Sequence, residues 1–138
     1  MNIHIKQQLI PAALALVLMT ACNTGKSDLK NLIRDVESYH RDLIFERYEI
    51  AAKYITPESR MPWLEAMRSQ NLRFAEIEIL STEDCTKDEK DAPLCMNILS
   101  QMQWYAGSSP VIKTTRIQAV WQFDAEEKAW HLIEQSEF

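Results

Sequence analysis

The feature that most constrains the fold is a change in the spacing of apolar residues near Gln70. Before this point, apolar side chains recur at the three- and four-residue spacing of a helix, and after it they alternate with polar side chains as in a strand. A chain with helices first and strands afterwards fits the α+β class, in which helices cover one face of a sheet. The sequence therefore predicts a single α+β domain over residues 29–138.

The helical half contains two amphipathic segments. Residues 29–55 place Leu32, Val36 and other apolar side chains on one side of a helical wheel, with charged side chains on the other. Pro57 ends this helix, because the residue before a proline avoids helical angles. We expect a second, shorter helix over residues 57–69. Its apolar side consists of Trp63, Leu64 and Met67.

The second half contains four stretches in which apolar and polar residues alternate. These stretches are residues 74–80, 95–106, 112–123 and 128–135. Residues 107–110 and 124–127 have the composition of short turns, which favours antiparallel neighbours. The pattern therefore predicts a meander of four antiparallel strands.

The chain begins with an apolar run, residues 9–21, that follows a single lysine. The run is too short to cross a bilayer, which takes about 20 apolar residues. A basic start, an apolar stretch and small residues at the end are typical of a secretory signal peptide, here residues 1–21. The alternative is a buried helix of the core.

The run Leu18–Cys22 resembles the lipobox of bacterial lipoproteins, in which an apolar residue and two small residues precede a cysteine. The resemblance implies that Cys22 carries a diacylglyceryl group and, after cleavage of the leader, an acylated amine. Several acyl chains together hold a protein firmly on a membrane. Asn23 follows the cysteine, and the sorting rule of such lipoproteins then implies the outer rather than the inner membrane. Residues 22–28 would be the lipidated cysteine and its tether.

Cys85 and Cys95 remain as a pair in a chain that we expect to be exported. Disulfides persist outside the cytoplasm, so a bond that ties the base of a loop is the favoured interpretation. Two free, partly buried thiols are the alternative. The pair lacks the companion ligands of a zinc site, and the acidic residues between the cysteines lack the spacing of a calcium loop. No metal site is expected.

Charge and glycine content exclude two classes of partner. The formal net charge is −5 and no basic patch stands out, so we expect no nucleic-acid partner. The two glycines, Gly25 and Gly107, are too few for a phosphate-binding loop. No motif of a nucleophile or a metalloprotease is present, so no catalytic residue and no cofactor are assigned.

The closing stretch, residues 114–138, is similar to the last hairpin of the NTF2-like superfamily, a cystatin-like α+β fold. Residues 48–60 resemble that family's first helix and its exit. The resemblance implies N-terminal helices packed on one face of a curved antiparallel sheet of about four strands. It also implies a pocket between the helices and the sheet, which some members use for catalysis and many only for binding.

Four residues are candidates for such a pocket. His40 and Arg47 lie on the apolar side of the first helix, Tyr54 follows them, and Glu134 has the inward phase of the last strand. One interpretation is a small-molecule-binding or enzymatic domain that uses these residues. The other is that His40 is a satisfied core histidine and that Arg47 pairs with a carboxylate of the sheet.

The opposite face of the sheet mixes apolar and polar residues, which a protein interface tolerates. The candidate interface residues are Leu99, Tyr105, Arg116, Val120 and Ile133. We expect a homodimer or another envelope protein as the partner there, alongside the membrane that the lipid on Cys22 contacts. A mixed, exposed sheet face is the alternative. Because no catalytic set is found, a non-enzymatic binding or assembly module is favoured over an enzyme.

Overall fold

The computed structural model describes residues 24–137. The leader, Cys22 and its expected lipid lie outside the described residues. The helical elements are α1 (Thr24–Ile44), α2 (Tyr48–Ala51), a 3₁₀ turn (Ala52–Tyr54) and α3 (Pro57–Gln70). The strands are β1 (Leu72–Asp84), β2 (Cys95–Ala106), β3 (Lys113–Asp124) and β4 (Ala129–Gln135).

The four strands form one antiparallel sheet in the order β1-β2-β3-β4, with the helices packed against one face. The predicted α+β class and the predicted meander are therefore confirmed. Beyond β4, a single parallel bridge joins Ile55 to Leu132 and brings the chain between α2 and α3 alongside that edge. No helix within the described part of the chain combines the length and apolarity that crossing a bilayer requires.

The core lies between α1 and the inner face of the sheet. Leu32, Val36 and Leu43 of α1 are completely buried, and so are Ile98 of β2 and Ile117 of β3. These positions are the ones that the helical and alternating patterns assign to the apolar faces. Leu64 and Met67 of α3 are buried as expected.

The predicted long helix over residues 29–55 is wrong, because α1 ends at Ile44. Glu46 adopts a left-handed backbone with φ of 56°, which no helix can continue. The amide of Arg47 instead donates to the carbonyl of Asp42 at 2.8 Å, and this bond closes the end of α1. The chain then turns into α2, whose residues no longer continue the wheel of α1.

The start of α1 also differs from expectation, since the helix begins at Thr24 within the segment predicted as a tether. The indole N–H of Trp130 donates to the carbonyl of Asp28 at 2.9 Å. This bond ties the first turns of α1 to β4.

Two irregularities in β1 change which side chains face the core. The pairing with β2 shifts between Phe74 and Glu76, and again between Ile79 and Ser81. Phe74 and Ile77 both pack inward as a result, while Ala75 is exposed at the bulge. Regular alternation over residues 74–80 would put Ala75 on the same face as Ile77, and the bulge overturns that part of the predicted pattern.

The structure joins Cys85 to Cys95 by a disulfide with their Cα atoms 4.9 Å apart. The amide of Cys85 also donates to the carbonyl of Cys95 at 2.9 Å, so the two cysteines face each other at the base of the β1–β2 loop. This is the arrangement that the sequence favours over two free thiols.

Candidate functional site

Aromatic side chains occupy the space between the helices and the sheet. The ring of Tyr39 meets Trp121 edge-on at 5.6 Å between centroids and Tyr54 at 6.1 Å, and Trp63 packs against the same ring. Tyr39 and Trp121 are only 1% exposed. The space in which the family resemblance implies a pocket is thus part of the packed core.

His40 lies in this core beside Tyr39, with its ring centroid 5.8 Å away. Only 7% of the residue is exposed, and burial lowers the pKa of its imidazole to about 4. The ring is therefore neutral at pH 7 and offers no positive charge to an anionic ligand. These features fit a core histidine better than a ligand-binding one.

Arg47 faces solvent, not the apolar side of the helix. The break after Ile44 turns it outward, and its guanidinium pairs with the carboxylate of Asp42 at 2.7 Å. The expected partner was a carboxylate of the sheet, but Asp42 belongs to α1 itself. Tyr54, the third candidate, is half-buried against Trp121, and burial raises the pKa of its phenol.

Glu134 does not have the inward phase that simple alternation gives it. A bulge in β4 places Ile133 between the pairs Trp121–Leu132 and Val120–Glu134. Glu134 consequently lies opposite Val120 on the outer face and is exposed, while Gln135 takes the inward position. The hydroxyl of Tyr39 donates to the Gln135 side-chain oxygen at 3.3 Å.

All five candidate interface residues lie on the outer face, which is the face of the sheet turned away from the helices. Charged side chains lie at Glu76 and Glu78 of β1, at Arg116 of β3 and at Glu134 of β4. Between these charges, the centre of β2 and β3 is uncharged and only partly covered. It consists of Asn97, Leu99, Gln101, Gln118, Val120 and Gln122.

One end of the outer face forms a groove. Two cavities, of about 340 Å³ and about 470 Å³, open there and share the lining residues Pro93, Gln122 and Ile133. We call the two together the outer groove. Its size falls within the range of small-ligand sites in proteins.

The walls of the outer groove come from three connections. The disulfide-tied loop, with Lys87 and Lys90, lines the larger cavity. Thr56 and Glu58, at the start of α3, line the smaller one together with the β3–β4 turn. The groove therefore depends on loops that fold back over the sheet. The position of such loops cannot be predicted from the spacing of apolar residues.

His131 lines the smaller cavity and is the site residue that the sequence analysis missed. It pairs with Gln122 of β3, and alternation alone assigns it no role. Its Nε2 lies 2.9 Å from the Glu127 carboxylate, and Asp124 completes a cluster with them. The spacing Asp-x-x-Glu-x-x-x-His across a predicted turn is the signal that could have identified the cluster.

The comparisons with known proteins bear on the fold alone. No protein-family model and no curated protein matches the chain. A SEC-C motif containing protein from Rhodopseudomonas palustris is similar in structure, with a TM-score of 0.57, 12% identity, and coverage of 75% of this chain and 76% of that one. A protein from Catenulispora acidiphila gives a TM-score of 0.60 at 8% identity, over 81% of this chain and 91% of the other.

Proposed function

We propose that the protein is a lipid-anchored lipoprotein of the bacterial cell envelope, whose α+β domain binds another envelope protein and carries out no catalysis. Cys22 holds the lipid, and the outer membrane is its expected location. The order of helices and strands agrees with the NTF2-like superfamily, and membership in that superfamily is part of the proposal.

The observation that carries the binding role is the composition of the outer face. Its centre is uncharged and mixes side-chain amides with partly covered apolar groups, while charged side chains, including Arg116 of β3, surround that centre. Protein interfaces have this arrangement, with few charges at the core and a polar rim. Exposed apolar side chains, Leu80 at 40% and Ile133 at 42%, extend the surface toward both edges of the sheet.

The membrane anchor is tested by Cys22→Ser. The wild-type chain should fractionate with membranes, and the variant should remain as an uncleaved precursor without lipid. Mass spectrometry of the N-terminal peptide should show the acyl chains on Cys22. A wild-type peptide that starts elsewhere, or carries an unmodified thiol, would contradict the anchor and leave the binding surface untouched.

The binding surface is tested by photo-crosslinking in intact cells. A photoreactive residue in place of Gln122 should give one discrete adduct with an envelope protein, and the same residue in place of exposed Glu65 on α3 should not. The added substitution Val120→Arg should abolish the Gln122 adduct, because it introduces a charge into the uncharged centre. Equal adducts from both positions would contradict the proposal.

A small-molecule ligand is the second candidate, and the volume of the outer groove favours it. Native mass spectrometry of the gently purified chain distinguishes the two. If the wild-type chain retains a small molecule and the Gln122→Ala variant does not, the function is ligand binding. An empty protein that still forms the Gln122 adduct would support the protein partner.

A further inference from the structure

The turn between β3 and β4 brings three metal-ligating side chains together. One ligand atom from each of Asp124, Glu127 and His131 lies within 4.8 Å of the others, and this is the one such group among residues 24–137. Around a bound Zn²⁺, ligand atoms at about 2.0–2.2 Å from the ion stand about 3–4 Å apart. Small rotations of the carboxylates would therefore close the set around an ion.

His131 gives the cluster a feature that exposed acidic turns lack. Its side chain is only 9% exposed, and its Nδ1 is buried without a hydrogen-bond partner. Its Nε2 is the nitrogen that faces the Glu127 carboxylate, so an ion would bind Nε2 and the buried Nδ1 would carry the proton. Because His131 lines the cavity of about 340 Å³, a bound group has room beside its ring.

Asp124 is held in place by the turn. Its Oδ1 accepts the amide N–H groups of Glu127 at 3.1 Å and Glu126 at 2.8 Å. Oδ1 is committed to the turn, which leaves Oδ2 as the oxygen for a cation.

We propose that Asp124, Glu127 and His131 form a binding site for a divalent transition metal, with Zn²⁺ the best match. An imidazole ligand favours Zn²⁺ and its neighbours over Mg²⁺ and Ca²⁺, which prefer all-oxygen sites. Three protein ligands leave a fourth position for water or an incoming group, and two of the three, Asp124 and His131, line the cavity of about 340 Å³. The site goes beyond the proposed envelope function and requires neither the lipid nor a protein partner.

The test is titration of ZnCl₂ into the tag-free full chain in detergent, followed by calorimetry. Every sample carries His4→Gln and Cys22→Ser, so that neither the leader imidazole nor a free thiol supplies a ligand. Three variants remove the ligands one at a time: Asp124→Asn, Glu127→Gln and His131→Gln. Glu126→Gln is the matched control, because it removes a charge from the same turn without touching the cluster. Co²⁺ absorption gives a second readout, since its intensity reports coordination geometry.

The parent chain should bind one Zn²⁺, and each ligand variant should weaken binding by about tenfold or more, while Glu126→Gln stays within about twofold. Asparagine at position 124 can still accept the turn's amide hydrogen bonds, and Glu127 is exposed, so these two variants decide the question even if His131→Gln unfolds. Absence of Zn²⁺ binding to a folded parent chain would overturn the proposal. Equal weakening by Glu126→Gln would do the same, because it would mean that only the charge of the turn attracts the ion.

Discussion

The two histidines among residues 24–137, His40 and His131, have different surroundings. His40 is enclosed by the core beside Tyr39, where burial lowers the pKa of its imidazole. His131 lies at the wall of the outer groove with a carboxylate on one ring nitrogen. The same residue type is thus a packing element in one place and a candidate ligand in the other.

The free energy of unfolding should fall as the pH falls from 6.5 to 4, because of His40. Its folded pKa of about 4 is below the ordinary imidazole pKa of 6.5, so within this window the unfolded chain takes up a proton that the folded chain does not. The stabilisation is fully present above pH 6.5, and about 3 kcal/mol is lost by pH 4. Urea unfolding at pH 7.0 and pH 4.5 measures the effect.

The matched control for this prediction is His40→Gln, which keeps a polar side chain but cannot take up a proton. The variant should lose less stability than the wild type between the two pH values. Parallel losses in both proteins would mean that groups other than His40 cause the acid sensitivity.

The sequence predicts the position of His40 but not that of Arg47, because the turn at Glu46 ends α1 between the two residues. Both residues fall on the same side of an uninterrupted helical wheel. Glu46 interrupts the wheel with its left-handed backbone, so only residues before the break keep their predicted face. No glycine or proline stands at the break, so the local sequence does not predict that the helix ends there.

At the scale of elements, Arg60 holds the connection between α2 and α3 together. Its guanidinium donates to the carbonyls of Ala52 at 2.9 Å, Ile55 at 3.2 Å and Lys53 at 3.4 Å. The carbonyl of Ala52 also accepts the amide N–H of Ile55 at 3.1 Å, so Arg60 adds to the hydrogen bonding at the end of the 3₁₀ turn. Arg60 therefore fixes the segment that carries Ile55 to the edge of β4.

Arg60→Lys should lower the free energy of unfolding by about 1–2 kcal/mol, because a single ammonium cannot span three carbonyls as a guanidinium does. Arg34→Lys is the control, since Arg34 is largely exposed and pairs with its neighbour Asp35. Thermal unfolding of both variants measures the difference. Equal effects would show that the carbonyl contacts of Arg60 contribute nothing specific.

Reduction of the Cys85–Cys95 disulfide should lower the free energy of unfolding by about 2–3 kcal/mol, the value expected for closing a loop of this length. The intact mass of the oxidised chain should also be two hydrogens below that of the reduced chain. Urea unfolding with and without reductant measures the loss. The double variant Cys85→Ser, Cys95→Ser should not respond to reductant, and a response there would assign the effect to something other than this bond.

Strand positions were predictable from alternation, but bulges were not. The turns that bound β2 and β3 were recognisable from their composition, and both strands agree with prediction to within a residue at each end. The bulges at Ala75 and Ile133 break the alternation without any glycine or proline. Each one moves a neighbouring side chain to the opposite face, as it does for Glu134.

At the scale of the whole molecule, a single core should unfold in a single transition. Trp121→Ala should lower the free energy of unfolding by about 3–5 kcal/mol, because it removes the ring against which Tyr39 and Tyr54 pack. Phe45→Ala, at a site that is 65% exposed, should lower it by less than about 1 kcal/mol. Near- and far-ultraviolet circular dichroism should give coincident curves. Separate transitions would contradict the single core.

The architecture was predictable and the candidate site was not, for one physical reason. The spacing of apolar residues predicts which side of each helix or strand is buried. Those buried sides are enough to predict that the helices pack on one face of the sheet. The outer groove instead forms where the disulfide loop and the start of α3 meet the β3–β4 turn. These segments are far apart in sequence, and their contacts leave no periodic signal.

The bond between Trp130 and the carbonyl of Asp28 has a consequence for how the domain stands on a membrane. It places the start of α1 at the same end of the sheet as the β3–β4 turn, while Val111 and Ile112 project from the opposite end. If Cys22 is acylated as proposed, only residue 23 separates it from α1. The outer groove would then open close to the lipid headgroups, where partners arrive by diffusion in two dimensions. A partner that shares the same leaflet would thus meet it far more often than one dissolved in the surrounding fluid.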